Sequence, residues 1–569
     1  MMTAPTAGRV GRTIKTTLTN KTLASKTQAR ETAMRLFKTL MAVAIGALMT
    51  ASGAIAETPK NTLVIADVID DVITLDPAEV SEVGGVLTSQ QIYQPLVSFD
   101  PADATKIYGV LAKSWETSAD GKTFTFKINR DAKFSSGNPV TAYDAEYSLQ
   151  RVVLLNSRIA FILTQFGLTP ENVKDKIKAT DDDTLVFEVD QTYAPSFVLY
   201  VLSSFTGGIV DSKLVKAHEG KTAEGGNDYG NAWLKSENSA GSGPFTLGKW
   251  DPKVSILLNR NENYWGTAPG VDKIFIQQMP ESATQRLALE KGDIDIANKL
   301  GPDDIGALAG NADITVAEGN SSTIYYFGLN LRNPALSNPK VVEAMKYLVD
   351  YQGIADTIGR GTVKVHQTMI PDGFLGGGIN YNPYKFDLEK AKALLAESGV
   401  ALPIKLDTVV WNAPPYTDYA QAVQATMAQA GINLDLQVVD GGQWLDRYRS
   451  HQLDIWVGLW GPDYPDPHSN VKAFTYHDAA DPEGSHGNLA DRFGWNSGTL
   501  SDDAMAAVKE QDVNKRKAMY DTLQRAHTDS SPFLYMFQDS RKVAMRSKVK
   551  GVILGITFSD DRYAGVSKE

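Results

Sequence analysis

The 569-residue chain has no cysteine. That absence excludes a disulfide framework, a thiolate nucleophile, a Cys-ligated metal and a cysteine-linked lipid anchor. Also missing are a Gly-rich phosphate loop, a Gly-x-Ser-x-Gly elbow and a His-Glu-x-x-His pair, so nucleotide hydrolysis and the common hydrolase chemistries lack their parts. Histidine is scarce, with seven in all. His468, His477 and His486 fall close together, with Asp478 and Glu483 between them, but their nine-residue spacings match no compact ligand motif. Neither a metal nor a cofactor is expected.

Long apolar runs are absent too. Only residues 39–50 form one, and they fall short of the roughly 20 residues a bilayer span requires. The basic segment Met34-Arg35-Leu36-Phe37-Lys38 precedes them, and Ala54-Ile55-Ala56 follows with the small-x-small cleavage pattern, so residues 1–56 read as an export signal and the mature chain starts at Glu57. The basic, Thr/Ala-rich residues before Met34 are either an extension of that signal or an unused upstream start. The whole chain carries a net charge of −11; residues 1–56 hold eight Lys/Arg and one acid, and taking their +7 away leaves about −18. A surface this acidic repels phosphate backbones and anionic lipid, which excludes nucleic acid and membrane as expected partners and is compatible with cationic or zwitterionic ligands.

The most informative stretch is 454–468. It opens as a short apolar strand and breaks at Gly461-Pro462 into a turn-rich loop. At the break stand Trp456, Trp460, Tyr464 and the carboxylate of Asp463. One carboxylate among large aromatic rings lacks the partner that acid–base chemistry needs. It suits a cationic head group, which gains from a charge-assisted hydrogen bond and from ring faces together. The competing reading makes the tryptophans core and Asp463 a turn residue.

Local patterns place the surrounding elements. Asp120-Gly121 ahead of alternating Phe124, Phe126 and Ile128 predicts a hairpin. Thr141 with Asp144 predicts a capped helix start, and Gly292 and Gly399 predict helix ends. Residues 404–410, 419–430 and 432–439 read as strand, helix, strand, hence a βαβ unit with parallel pairing. Gly84-Gly85 is either a helix-entry turn or a point of close approach to the main chain.

Several of these blocks, in order, resemble one family. Leu111-Ala112 with Ser114-Trp115-Glu116, then Phe134-Ser135, Gly137, Pro139-Val140-Thr141-Ala142, Asp144 and Tyr147-Ser148, are similar to the signature of periplasmic oligopeptide- and dipeptide-binding proteins, the family 5 extracytoplasmic solute-binding proteins of ABC transporters. The likeness continues through Gly241-Ser242-Gly243-Pro244-Phe245, Asn263-Tyr264-Trp265-Gly266 and Gly292-Asp293-Ile294-Asp295-Ile296. It implies an α/β, two-lobed periplasmic-binding-protein fold of type II, in the large class with an inserted subdomain and two hinge crossings. Lobe I would comprise 57–103, 241–320 and 536–569; the insert, 104–240, would take no direct part in binding; lobe II, 321–535, would carry the gripping loop.

The same resemblance implies site residues. Asp463 falls on the aspartate that accepts a peptide's α-ammonium, with Trp460 and Gly461 flanking the first peptide unit and Tyr464 beside them. Trp444 is either an aromatic wall or core. Gly85, Leu87 and Tyr535 are further expected contacts. Where relatives that take longer peptides have an arginine, this chain has Val457, so a carboxylate partner must come from elsewhere, with Arg447 and Arg449 nearest in sequence. The family's acidic contact near the first loop falls on Gly85, which leaves that wall without a side chain. The function implied is a periplasmic, monomeric, non-enzymatic receptor that binds a short peptide or another amine-bearing solute and delivers it to an inner-membrane ABC permease. A non-peptide solute such as an opine, sugar conjugate or metal chelate is the alternative within the fold. A secreted peptidase is the alternative outside it, and it lacks a nucleophile.

Overall fold

Two long antiparallel strands, Ile314–Leu329 and Phe533–Arg546, run side by side through the centre of the molecule. The computed structural model describes residues 57–101, 103–236, 238–480, 488–557 and 561–569. The expected export signal and His486 lie outside the described residues. At about 3.4 Å per residue, a 16-residue strand reaches roughly 50 Å, far enough to belong to two lobes at once. On one side the pair continues into Ile296–Ala297, Thr62–Asp67, Lys273–Gln278, Ser255–Arg260 and Phe245–Asp251; on the other it continues into Ile455–Trp460, Ile404–Trp411 and Ile432–Val439. One sheet therefore spans both lobes.

The ladder between the two crossing strands shifts register twice in its middle, between Asn320 and Ile324 and again between Tyr325 and Tyr326. Asn320 pairs with Ser540 and Ile324 with Gln538, four residues of one strand against two of the other. The Ser321 carbonyl freed there accepts from Gln538 Nε2 (2.5 Å), which also donates to the Asp372 carbonyl of a neighbouring loop (3.2 Å).

Lobe II follows the βαβ pattern. Ile404–Trp411 and Ile432–Val439 pair in parallel across the helix Tyr416–Ala428, and Thr408-Val409 pair in parallel with Ile455-Trp456. In lobe I, Thr62–Asp67 is parallel to both its neighbours, and the outer strands turn antiparallel. The capping box of Thr141 and Asp144 forms as the spacing predicts. Gly292 and Gly399 end their helices at φ 81° and 69°, the left-handed conformation that glycine takes without a Cβ clash. Among the described residues, no helix is long and apolar enough to cross a membrane.

The segment between the first lobe's strands folds around its own four-stranded sheet, in the order Ala112–Thr117, Thr123–Ile128, Thr184–Glu188, Ile177–Ala179. Phe124, Phe126 and Ile128 are fully buried under the helix Ala142–Leu155, as their alternation requires. Arg151 of that helix reaches into the first lobe and grips Asp76 through two hydrogen bonds of 2.6 and 2.8 Å, both side chains being buried. The insert also touches the second lobe. The Ala194 amide donates to Val508 O (2.9 Å), and Phe197 meets Tyr464 and His468 edge-on at 5.8 and 5.3 Å between ring centroids.

Candidate functional site

Gly461-Pro462 ends the strand Ile455–Trp460, because proline has no N–H to continue a ladder. That strand pairs antiparallel with the first crossing, from Ile324 opposite Trp460 to Leu329 opposite Ile455, so its end opens beside the crossing. Alternation puts Trp456, Gly458 and Trp460 on one face. A Cβ on Gly458 would lie 1.9 Å from Trp456 Nε1, so this glycine is what lets the indole lie across the strand. Trp444, from the helix Gly441–Arg449, stacks on that indole at 3.9 Å and 16°, and Tyr448, one turn later, packs on it at 4.1 Å and 26°.

These rings line a cavity of about 430 Å³, within the size range of small-molecule sites. Asp463 and Tyr464 enter it from the loop. Ser469, Lys472 and Ala473 enter it from the helix Pro467–Thr475, at the i, i+3, i+4 spacing of a single helical face. The facing wall belongs to the insert, through Arg158, Ile159, Phe161, Gln165 and Phe205. Here the structure departs from the expectation that the insert has no direct part. Its apolar core runs on into Tyr464 and Val508 of the second lobe, and this contact brings the insert over the cavity.

The Asp463 amide donates to Ser469 Oγ (3.0 Å), which fixes the loop on the helix. Its carboxylate has no hydrogen bond or ion pair among the described residues, and burial alone pushes its pKa up to about 7. The next acid in the loop is different. Asp466 is fully buried, accepts two hydrogen bonds from Arg516 (2.7 and 2.9 Å) and caps the following helix through the His468 amide (2.9 Å). Of the two carboxylates in Asp463-Tyr464-Pro465-Asp466, only the first is available to a ligand. Trp460, which lines the cavity and packs edge-on against Phe474 (5.7 Å), carries a buried indole N–H that also lacks a partner. Tyr464 hydrogen-bonds Gln165 Oε1 (3.3 Å), joining the loop to the insert.

The structure thus gathers Asp463, Trp460, Tyr464 and Trp444 around one cavity, with Gly461 at the strand end beside it. It does not bring the other expected residues there. Gly85 lies inside the helix Val83–Ile92, where a Cβ would come within 2.8 Å of Val80 and 3.2 Å of the Thr74 carbonyl, so its small size serves helix packing instead of opening a ligand wall. Leu87, on the same helix, is buried in protein. Tyr535 sits behind Phe474 (5.2 Å) in the apolar core, its hydroxyl buried and unpartnered. Arg447 and Arg449 project away, because their helix turns Trp444, Leu445 and Tyr448 inward; Arg447 Nε instead donates to the Gln452 carbonyl (3.1 Å). Val457 packs in the second lobe's core, where an arginine would have no water.

The cations that do reach the cavity are Lys472, Arg492 and Arg158. Arg492 lies over the Tyr448 ring at 4.4 Å, and Arg158 donates to Ser81 Oγ (2.5 Å) at the exposed edge. Sequence reading missed all three: the helical spacing after Pro467 could have found Lys472, whereas Arg492 and Arg158 come from segments distant in sequence. His468 is buried against Phe197, and desolvation holds its pKa well below the ordinary value. His477 pairs with Asp491. Neither histidine faces the other across a shared site.

Residues 106–481 match the model of the family described as bacterial extracellular solute-binding proteins, family 5 Middle. The chain is 30% identical over 503 residues to the probable D,D-dipeptide-binding periplasmic protein DdpA of Escherichia coli (strain K12), covering 88% of this chain and 92% of that one. It is 25% identical over 470 residues to the dipeptide-binding protein of the same organism, covering 78% and 83%. In fold it is similar to the ABC transporter-associated periplasmic binding protein DppA from Helicobacter pylori, solved with the peptide STSA, at a TM-score of 0.74 and 24% identity over 89% of this chain and 98% of that one.

Proposed function

This chain belongs to family 5 of the bacterial extracellular solute-binding proteins and is not an enzyme; from that premise, we propose that it is a periplasmic receptor that closes two lobes around a short peptide and presents it to an ABC permease. The lobes have the two-crossing periplasmic-binding-protein fold, and closure is a hinge motion coupled to contacts made from both sides. The boundaries that suit this reading are lobe I at 57–103, 241–320 and 536–569, the insert at 104–240, and lobe II at 321–535. The insert then forms a binding wall as well as a support.

One observation carries the reading. Asp463 is a carboxylate without a partner among the described residues, set among Trp444, Trp456 and Trp460 in a cavity where burial lifts its pKa to about 7. An unpartnered acid held part-buried among rings is costly, and a ligand ammonium offsets that cost with a charge-assisted bond and ring-face attraction together. The Trp460 indole N–H and the main chain at Gly461 are suited to hold the first peptide unit, with Tyr464 closing that side. Main-chain recognition of this kind leaves side chains unread. Two similar proteins are named for dipeptides, one of them for D,D-dipeptides, which supports the ligand class.

Isothermal titration of the purified protein with Ala-Ala and D-Ala-D-Ala is the test. Saturable binding is expected for at least one of them, weakened about 10- to 100-fold by N-acetylation of the ligand or by Asp463→Asn, the range of a bond to a charged group. Undiminished affinity for the acetylated forms would remove the amine grip and move the assignment to a non-peptide solute.

A further inference from the structure

Tyr464 stands at a second contact besides the cavity, where the insert meets the second lobe. Phe197 of the insert presents its ring edge-on to Tyr464 and His468 (5.8 and 5.3 Å), and the Ala194 amide donates to the Val508 carbonyl (2.9 Å). Ser196 Oγ accepts from Arg516 Nη1 (3.2 Å), and Gln165 Oε1 accepts from the Tyr464 hydroxyl (3.3 Å). Ala194, Phe197, Tyr464 and Val508 are all buried. These contacts converge on the loop that carries Asp463 or on what holds it, since Arg516 pairs with Asp466 and donates through Nε to the Ala507 carbonyl (3.2 Å). Ala194, Ser196, Phe197 and Val508 are not among the residues that line the cavity.

The insert's two attachments differ in kind. Towards the first lobe it depends on charge: Arg151 is buried with Asp76, and Asn231 donates to the same carboxylate (2.8 Å), so separation would strand both halves of a buried ion pair. Towards the second lobe no charge depends on it. Arg516 keeps both bonds to Asp466 with or without Ser196, and the Ala194 amide, the Val508 carbonyl and the Tyr464 hydroxyl are neutral groups that water satisfies once they are exposed. The remainder is apolar and ring-edge contact, which re-forms on each approach. The first attachment is permanent, and the second can part and close. We propose that this second joint is the latch of the receptor: segment 194–197 seats on the second lobe when the lobes shut, leaves it when they open, and so sets how long a bound solute is held. The latch rests on the two-lobe closure proposed above. Standing outside the cavity, it acts on residence time without reading the ligand's chemistry.

The chain has no cysteine, so Ala194→Cys combined with Val508→Cys supplies the only pair of thiols. The 2.9 Å amide–carbonyl bond between these residues keeps their Cα atoms within the roughly 4.4–6.8 Å that a disulfide bridges. Exchange of radiolabelled Ala-Ala and D-Ala-D-Ala is followed in the oxidised double variant and after reduction, with thermal melting of the reduced form as the check on folding. Oxidation should slow uptake and release by about 100-fold or more, and reductant should restore wild-type exchange. Small-angle X-ray scattering of the ligand-free protein reads the latch without any ligand: the oxidised form should be the more compact, and reduction should expand it. Phe197→Leu, which keeps an apolar side chain in the insert, should speed release by about 3- to 10-fold, the effect of a lost ring edge. Free exchange by the oxidised protein, thiols that fail to couple, equal radii of gyration in the two redox states or unchanged release from Phe197→Leu would each overturn the latch and leave the peptide receptor intact. Absence of binding of either probe to the wild type at about 1 mM, with radii that still differ, would overturn the peptide reading and leave the latch standing.

Discussion

At the scale of single residues, the proposed role of Asp463 predicts an affinity that depends on pH. Its carboxyl is half-protonated near pH 7 because burial raises its pKa to about 7, and only the charged form attracts an ammonium. A peptide amine, with a pKa of about 8, stays charged below that. Affinity for an amine ligand should therefore rise by up to about tenfold per pH unit from pH 5 to pH 7 and then level off. Ligand-free stability should move the opposite way. The folded state keeps its proton up to about pH 7 while the unfolded state releases it near pH 4, so stability falls as pH rises across that window. Titrations and thermal melts of wild type and Asp463→Asn check both. A wild-type affinity flat between pH 5 and 7 would mean that Asp463 is not the group that meets the ligand.

The same residue marks how far sequence reading goes. Asp463 and Trp460 were legible because they stand at the strand break at Gly461-Pro462, whereas Trp444, on the helix before that strand, was offered only by the family resemblance and as wall or core alike. Arg492, Tyr448 and the insert's Arg158 and Phe161 were not, since no local pattern records which distant segments meet over a cavity. Gly85 illustrates an opposite failure. A small residue reads equally as an open wall or as close packing, and the distance to Val80 decides for packing.

At the scale of elements, the helix Pro467–Thr475 is the part on which the site is mounted. It places Ser469 and Lys472, and its N-terminus is fixed by Asp466, held by Arg516 from the long helix Val513–Ser530. Removing one partner of a buried ion pair leaves an uncompensated charge. Arg516→Met should therefore cost about 3–5 kcal/mol of stability, measured by urea denaturation. It should also weaken ligand binding, since the strained end is the one next to Asp463. A loss below about 1 kcal/mol, the usual worth of a surface pair, would show that this anchor is dispensable. Element identities were readable from short-range rules, as the Thr141–Asp144 box and the Gly292 and Gly399 helix ends show. The bidentate Arg516–Asp466 pair, fifty residues apart in sequence, has no such rule behind it.

At the scale of the whole molecule, the βαβ order of lobe II and its parallel pairing were legible from periodicity. The continuity of one sheet across both lobes was not, because strand order depends on which edges meet in space. The insert's place over the cavity escaped for the same reason, being set by Phe197 against Tyr464 and His468. Closure around a ligand should reduce the radius of gyration in small-angle X-ray scattering when a saturating peptide is added. An unchanged profile with binding proven by calorimetry would mean that the ligand enters a structure already shut.

The interrupted ladder at Asn320 and Ile324 has a mechanical consequence. Both crossings lie next to each other in one ribbon, so the proposed closure would turn the halves about that ribbon. On the proposed closure, a protein that docks on the loaded form would read the angle between the two halves.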